Sequence, residues 1–232
     1  SDNDTKSADD ITSNVPKYVP KNVHKLAIAT NENILIALSS DEQNALYVHQ
    51  YFVSGAKRLQ SAWHKWTFGT SSTDKILNID FIENTLFIIN QRSDGVYLET
   101  MDISPAYVDT GATYLTHLDR KVSNSTTGVS SSYDSGTNRT TITIPYAITN
   151  TMKIVGRSGG SNTAGQSLAT VSQTGTSIVV SGNITSNSFF IGEQYTFTFV
   201  FSQQFMQIAD TQGSRISVKE GRLQIRNWNV SY

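Results

Sequence analysis

The sequence predicts an all-β protein: partial β-propeller blades followed by a second antiparallel, sandwich-like β-domain. Three observations carry this. The stretch Leu26-Ala27-Ile28 … Asn33-Ile34-Leu35 … Tyr47 recurs as Leu77-Asn78-Ile79 … Asn84-Thr85-Leu86 … Tyr97, at a spacing of 51 residues that shortens to 50 at the tyrosines. A period near 50 with about four short strands per unit is the signature of propeller blades, and one blade cannot bury both its faces alone. Several runs alternate apolar and polar residues with period 2, and no convincing amphipathic helix is present. The composition is 38 % hydrophobic and only 16 % charged, with a remainder rich in Ser, Thr, Asn and Gly, as in β-proteins with many turns.

The elements follow in order. Residues 1–23 are polar, with Pro16 and Pro20 flanking Lys17-Tyr18-Val19, and read as an extended arm. Lys25–Thr30 and Ile34–Leu38 read as strands around the turn Asn31-Glu32-Asn33. Ala45–Val53 is a third strand, and Ser61–Phe68, carrying Trp63 and Trp66, the outer fourth. The second unit repeats the order with Lys75–Phe81, Thr85–Asn90 and Val96–Ile103, but its fourth strand is not readable: Trp63 and Trp66 map onto Tyr114 and His117. The chain is therefore expected to leave the propeller near residue 110, giving a blade segment at 1–110 and a second β-domain at 111–232.

In that second part Ser123–Asn138 reads as a long polar loop, and Thr140–Ile144, Met152–Val155, Ser177–Ser181 and Ser188–Ile191 as strands. Gly156–Gly165 reads as a flexible loop. Tyr195–Phe201 is the clearest strand pattern, with Tyr195, Phe197, Phe199 and Phe201 on one face, a face expected to be buried. Gln203–Asp210 fits one helical turn or a continuing strand. Leu223 and Ile225 keep one parity and Trp228, Val230 and Tyr232 the other, so a β-bulge is expected near Asn227.

Charge and composition remove several function classes. The formal net charge is −1, which argues against a gripping nucleic-acid face, because phosphate neutralisation needs excess Lys and Arg. With no cysteine there is neither a disulfide framework nor a thiolate metal site. No apolar run approaches the ~18–20 residues that span a bilayer. The missing initiator Met, the polar start and the count of two blades lead to the expectation of a piece of a longer protein.

Candidate chemistry is sparse. His24, His49, His64 and His117 form no short metal-ligand spacing, so no metal is expected. Gly156-Arg157-Ser158-Gly159-Gly160-Ser161 opens no helix and reads as a loop rather than a phosphate cradle. Asp80 and Glu83 flank one turn, and two carboxylates about 5–10 Å apart are the minimum for glycoside hydrolysis. Trp63 and Trp66 are candidates for a sugar-stacking platform, but their parity differs, so a regular strand points them to opposite faces and blade packing is the expected role of at least one.

Five segments taken in order carry a resemblance: Ala8–Pro20; Tyr47–Phe52 with Gln60-Ser61-Ala62-Trp63-His64-Lys65-Trp66-Thr67-Phe68-Gly69; Thr141-Ile142-Thr143-Ile144-Pro145; Ile191-Gly192-Glu193-Gln194-Tyr195 through Ser202; and Gly221–Tyr232. Together they resemble the C-terminal half of the tail tubular protein B family, the nozzle proteins of short-tailed bacteriophages of the T-odd type. The resemblance implies a structural virion protein of the phage tail, with no catalytic role and no cofactor. It implies a hexameric ring beneath the portal and adaptor, whose lumen is the channel for DNA ejection. It places the propeller on the outside of each subunit, other β-domains in the tube wall, and tail fibres near the adaptor junction. Double-stranded DNA would pass the lumen without specific binding. The alternatives are a host-surface carbohydrate-binding or weakly glycosidic tail module, and a propeller scaffold for protein–protein contact.

Overall fold

A computed structural model of the chain describes residues 10–13, 15–54, 57–69, 73–104, 109, 112, 114–158, 162–200, 206–209, 215–218 and 226–227. They fall into two units, 1–194 and 195–232. The architecture is all-β and antiparallel, and the only helical piece among the described residues is the single 3-10 turn Thr30–Glu32.

The first sheet is a four-stranded meander of β1 (Val23–Ala29), β2 (Ile34–Ser39), β3 (Ala45–Ser54) and β4 (Lys57–Thr67). The β1–β2 link works because Asn33 adopts a left-handed conformation (φ 54°), which asparagine tolerates better than most residues. The second sheet is a three-stranded meander of β5 (Lys75–Ile82), β6 (Thr85–Arg92) and β7 (Gly95–Asp102). Among the described residues it has no fourth strand, and Tyr114 and His117 lie outside strands.

One apolar core joins these two sheets. Ala27, Ile34, Ile36, Leu38, Leu46 and Val48 of the first pack with Ile76, Ile79, Leu86 and Ile88 of the second, together with Phe68. The Lys25–Asp80 ion pair (3.6 Å) and a hydrogen bond from Asn84 Nδ2 to Glu32 Oε1 (2.8 Å) tie the same sheets at their rim. This is face-to-face packing of consecutive meanders. The 51-residue echo finds the units but misses the register by one residue. Leu26 and Ile28 are 54 % and 53 % exposed, whereas Ile79, the echo of Ile28, is buried. The inward positions of the first two strands are instead related by 52 residues, as in Ala27 and Ile79, Ile34 and Leu86, or Ile36 and Ile88. A bulge at Leu77, between the paired residues Ile76 and Asn78, absorbs the difference. Because side chains alternate with period 2, a slip of one residue exchanges core face and outer face.

Beyond these two meanders, two further four-stranded sheets form a sandwich. One has the order β12 (Ser167–Leu168), β11 (Met152–Gly156), β15 (Phe189–Glu193), β8 (Asp119–Ser123). The other has β13 (Thr170–Thr174), β14 (Ser177–Ser181), β10 (Arg139–Thr143), β9 (Ser130–Asp134). Ile142, Ile178 and Val180 of one face Met152, Ile154, Phe189 and Ile191 of the other in a single core. Two polar side chains are built into the packing. Thr140 Oγ1 donates to Gly182 O (2.6 Å) and accepts from Ile184 N (3.1 Å), and Gln173 bonds both N and O of Met152 (2.9 Å each). Both are thus paired, as removal from water demands.

Two expectations change. The polar stretch 123–138 is not one loop: it contains β9, whose Ser-rich sequence satisfies a ladder with β10 despite weak strand propensity. Residues 194–200 are not in a strand, and Phe197 and Val200 are 80 % and 83 % exposed. Alternation says which side chains would share a face, but only a neighbouring backbone makes a ladder. Of the two alternatives for 203–210 the strand holds: Met206–Ala209 is β16, paired with β17 (Arg215–Val218). Phe201 and the positions 223, 225, 228, 230 and 232 lie outside the described residues.

Candidate functional site

The candidate residues do not converge. Trp63 and Trp66 stand on opposite faces of β4. Trp63 pairs with His49 across the ladder and packs with Ala37, Ala45 and Tyr47, while its Nε1 donates to Ile11 O (3.0 Å) in the arm. Trp66 packs against the core shared by the two meanders. Asp80 is exposed and paired with Lys25, and Glu83 sits in a left-handed turn (φ 53°). The histidines are dispersed: His24 and His117 are exposed, His49 lies between Tyr51 and Trp63, and His64 packs near Trp66 (5.6 Å). Among the described residues no three His, Asp or Glu side chains are grouped to hold a metal.

The arm covers part of the first sheet's outer face. Tyr18 meets Tyr47 edge-on at 5.9 Å, and the Tyr47 hydroxyl donates to Glu42, which also takes Lys65 Nζ at 3.0 Å. The bonds from Tyr47 and Lys65 hold the Glu42 carboxyl below the usual carboxylate range. Burial, followed by the adjoining Glu42 carboxylate, pushes the Tyr47 hydroxyl up. The corresponding outer face of the second sheet is open. Ile89, Val96 and Leu98 point outward together across β6 and β7, and Leu98 is 67 % exposed. A contiguous apolar surface on a β-meander marks a place where something packs.

A dense polar constellation lies where the second meander meets the sandwich. Arg120, on β8, has a side chain only 3 % exposed. Its guanidinium lies 3.9 Å over the Tyr146 ring and 5.0 Å from that of Tyr97 on β7. Its Nη1 donates to Ala147 O (3.2 Å) and faces Glu193 Oε1 at 3.6 Å, an ion pair rather than a hydrogen bond. Glu193 also accepts from Thr149 Oγ1 (2.9 Å), and the Tyr146 hydroxyl donates back to Arg120 O (2.5 Å). From the second meander Asp94 accepts the Tyr97 hydroxyl (2.8 Å) and the Ala147 backbone N–H (2.7 Å). Partial burial works against the ionised Asp94, but those donated bonds and the nearby Arg120 charge outweigh it and hold the carboxyl below its usual range.

The local backbone explains how Arg120 reaches this place. Arg120 is left-handed (φ 48°), at an irregularity where β8 carries extra length against β15 between the pairs Ile191–Val122 and Glu193–Asp119. Such a bulge re-aims a side chain. Gly192 makes it possible: a Cβ there would lie 2.7 Å from Asp119 O and 2.8 Å from Leu118 Cβ. Nothing in the sequence pattern marks Arg120. Its signal is a glycine on the neighbouring strand, distant in sequence and legible only once β8 and β15 are paired.

This arrangement binds and positions; it presents no nucleophile, acid–base pair or metal cluster among the described residues. Comparison with known proteins agrees in kind. The family described as Bacteriophage nozzle protein matches over residues 1–232. Tail tubular protein gp12 of Escherichia phage T7 is 25 % identical over 244 aligned positions, which cover 98 % of this chain and 29 % of that relative. The chain thus spans less than a third of the relative's length.

Proposed function

The chain belongs to the bacteriophage nozzle protein family, a family of structural tail components and not of enzymes, and we propose that it is a segment of the nozzle through which DNA leaves the virion. The longer protein assembles as a hexameric ring beneath an adaptor, with tail fibres docking near that junction. Residues 1–110 supply two blades of a propeller, and residues 111–232 a β-domain of the tube wall.

The observation that carries the blade assignment is the common core of two consecutive antiparallel meanders. The open face of Ile89, Val96 and Leu98 supports it further: in a propeller that face takes the next blade. A net charge of −1 over the chain fits a surface that double-stranded DNA passes without being gripped, since tight binding needs released counterions and basic side chains. Fold alone would not assign a function; family membership does that for this chain.

A charge placed on the open face separates this reading from that of a free-standing scaffold. In this chain alone Leu98→Lys should leave the thermal unfolding midpoint nearly unchanged, because Leu98 is already solvated. In the longer protein it should lower the yield of folded, assembly-competent subunits. Equal tolerance in both settings would remove the next-blade assignment.

A further inference from the structure

We infer that Arg120 is the locking residue of a rigid joint that fixes the orientation of the blade pair on the sandwich. The observations are independent of the nozzle reading. Both sides of the joint contribute named groups to one guanidinium: Tyr97 from the blade, and Tyr146, Ala147 and Glu193 from the sandwich. Asp94 adds a second tie, from the blade turn to the Ala147 N–H. A buried guanidinium is held by two aromatic faces and a carboxylate, a geometry that lysine cannot reproduce because its ammonium is a point charge without a planar face.

The placement is costly to build. A left-handed non-glycine residue persists only where its surroundings over-determine it. A desolvated arginine is tolerated only when its charge is met. Both features fall on a residue that touches the two lobes. Ordinary solubilising surface charge would need neither, so the arrangement selects orientation rather than fold. Sandwich and blades each have their own apolar core without it.

The chain contains no cysteine, so two introduced thiols can be labelled uniquely. Thr100→Cys on β7 and Ser132→Cys on β9, both exposed, carry spin labels whose separation reports the angle between lobes. The unmodified joint should give one narrow distance distribution. Arg120→Lys and Arg120→Leu should each broaden it into several populations, and Tyr97→Leu, which removes the blade-side ring together with its hydroxyl bond to Asp94, should broaden it too. Ile36→Val, which loosens the core between the two meanders, a cluster that contains none of the joint residues, should leave it narrow. Near-UV circular dichroism confirms that each variant compared is folded. A distribution that stays narrow in folded Arg120→Lys and Tyr97→Leu would overturn the inference, as would equal broadening by Ile36→Val.

Discussion

Burial lowers the proton affinity of His64, which lies on β4 beside Trp66. Its folded value therefore falls below the ordinary histidine value of about 6.5. Between those two values the unfolded chain binds more protons than the folded one, so stability rises with pH in that window and is lost on acidification. Proton NMR should show the His64 ring titrating below the ordinary histidine value, and His64→Gln should flatten the corresponding part of the stability profile. Gly192 gives a second prediction at this scale. Gly192→Ala forces a Cβ against backbone of β8, and overpacking of that kind costs about 1–3 kcal/mol in chemical denaturation. A neutral Gly192→Ala would mean that the bulge opposite it can relax. Single residues are only partly legible in the sequence. The parity of Trp63 and Trp66 indicates that they face apart, and each does pack against a different cluster. Arg120 is illegible, because its partners come from β7, from the chain leaving β10 and from β15, and no local pattern encodes their meeting.

At the scale of elements, the strands of the two meanders are readable nearly to their ends, apart from β4, which begins at Lys57 rather than Ser61, because alternating residues and asparagine-rich turns are local signals. Ser177–Ser181 is readable for the same reason. Register is not, since it depends on the bulge at Leu77, and the echo of leucines and isoleucines matches outer-face residues of one meander to core residues of the next. The two classes of position should respond differently to substitution. Leu86→Ala empties a fully buried site in the core shared by both sheets and should cost about 2–5 kcal/mol. Ile28→Ser, at an outward-facing position of β1, should change stability in chemical denaturation by no more than about 0.5 kcal/mol. Similar costs for both would contradict this register. The strand β9 and the segment 194–200 show the limits in opposite directions. Ser130–Asp134 has little strand propensity and is a strand because β10 offers its edge; the aromatic segment has every propensity and is not in one. Pairing, not pattern, decides both.

For the molecule as a whole, three features point one way. Consecutive meanders share a core and leave an apolar face open on the second, buried polar contacts tie that meander to the sandwich, and the chain is close to neutral. These suit a part that keeps its shape within a larger assembly and does no chemistry on what passes it. The family match covers the whole chain, while the chain spans only 29 % of its relative from phage T7, so the proposed ring is tested on a longer protein that contains this segment. The most direct test is therefore electron cryo-microscopy of that longer protein, purified alone and with its tail adaptor. The account predicts six-fold rings with an open channel, the residues 23–102 meanders forming adjacent propeller blades on the outside and the sandwich in the wall. Dispersed monomers that never join the adaptor, or rings in which the Ile89–Val96–Leu98 face meets no further blade, would contradict it.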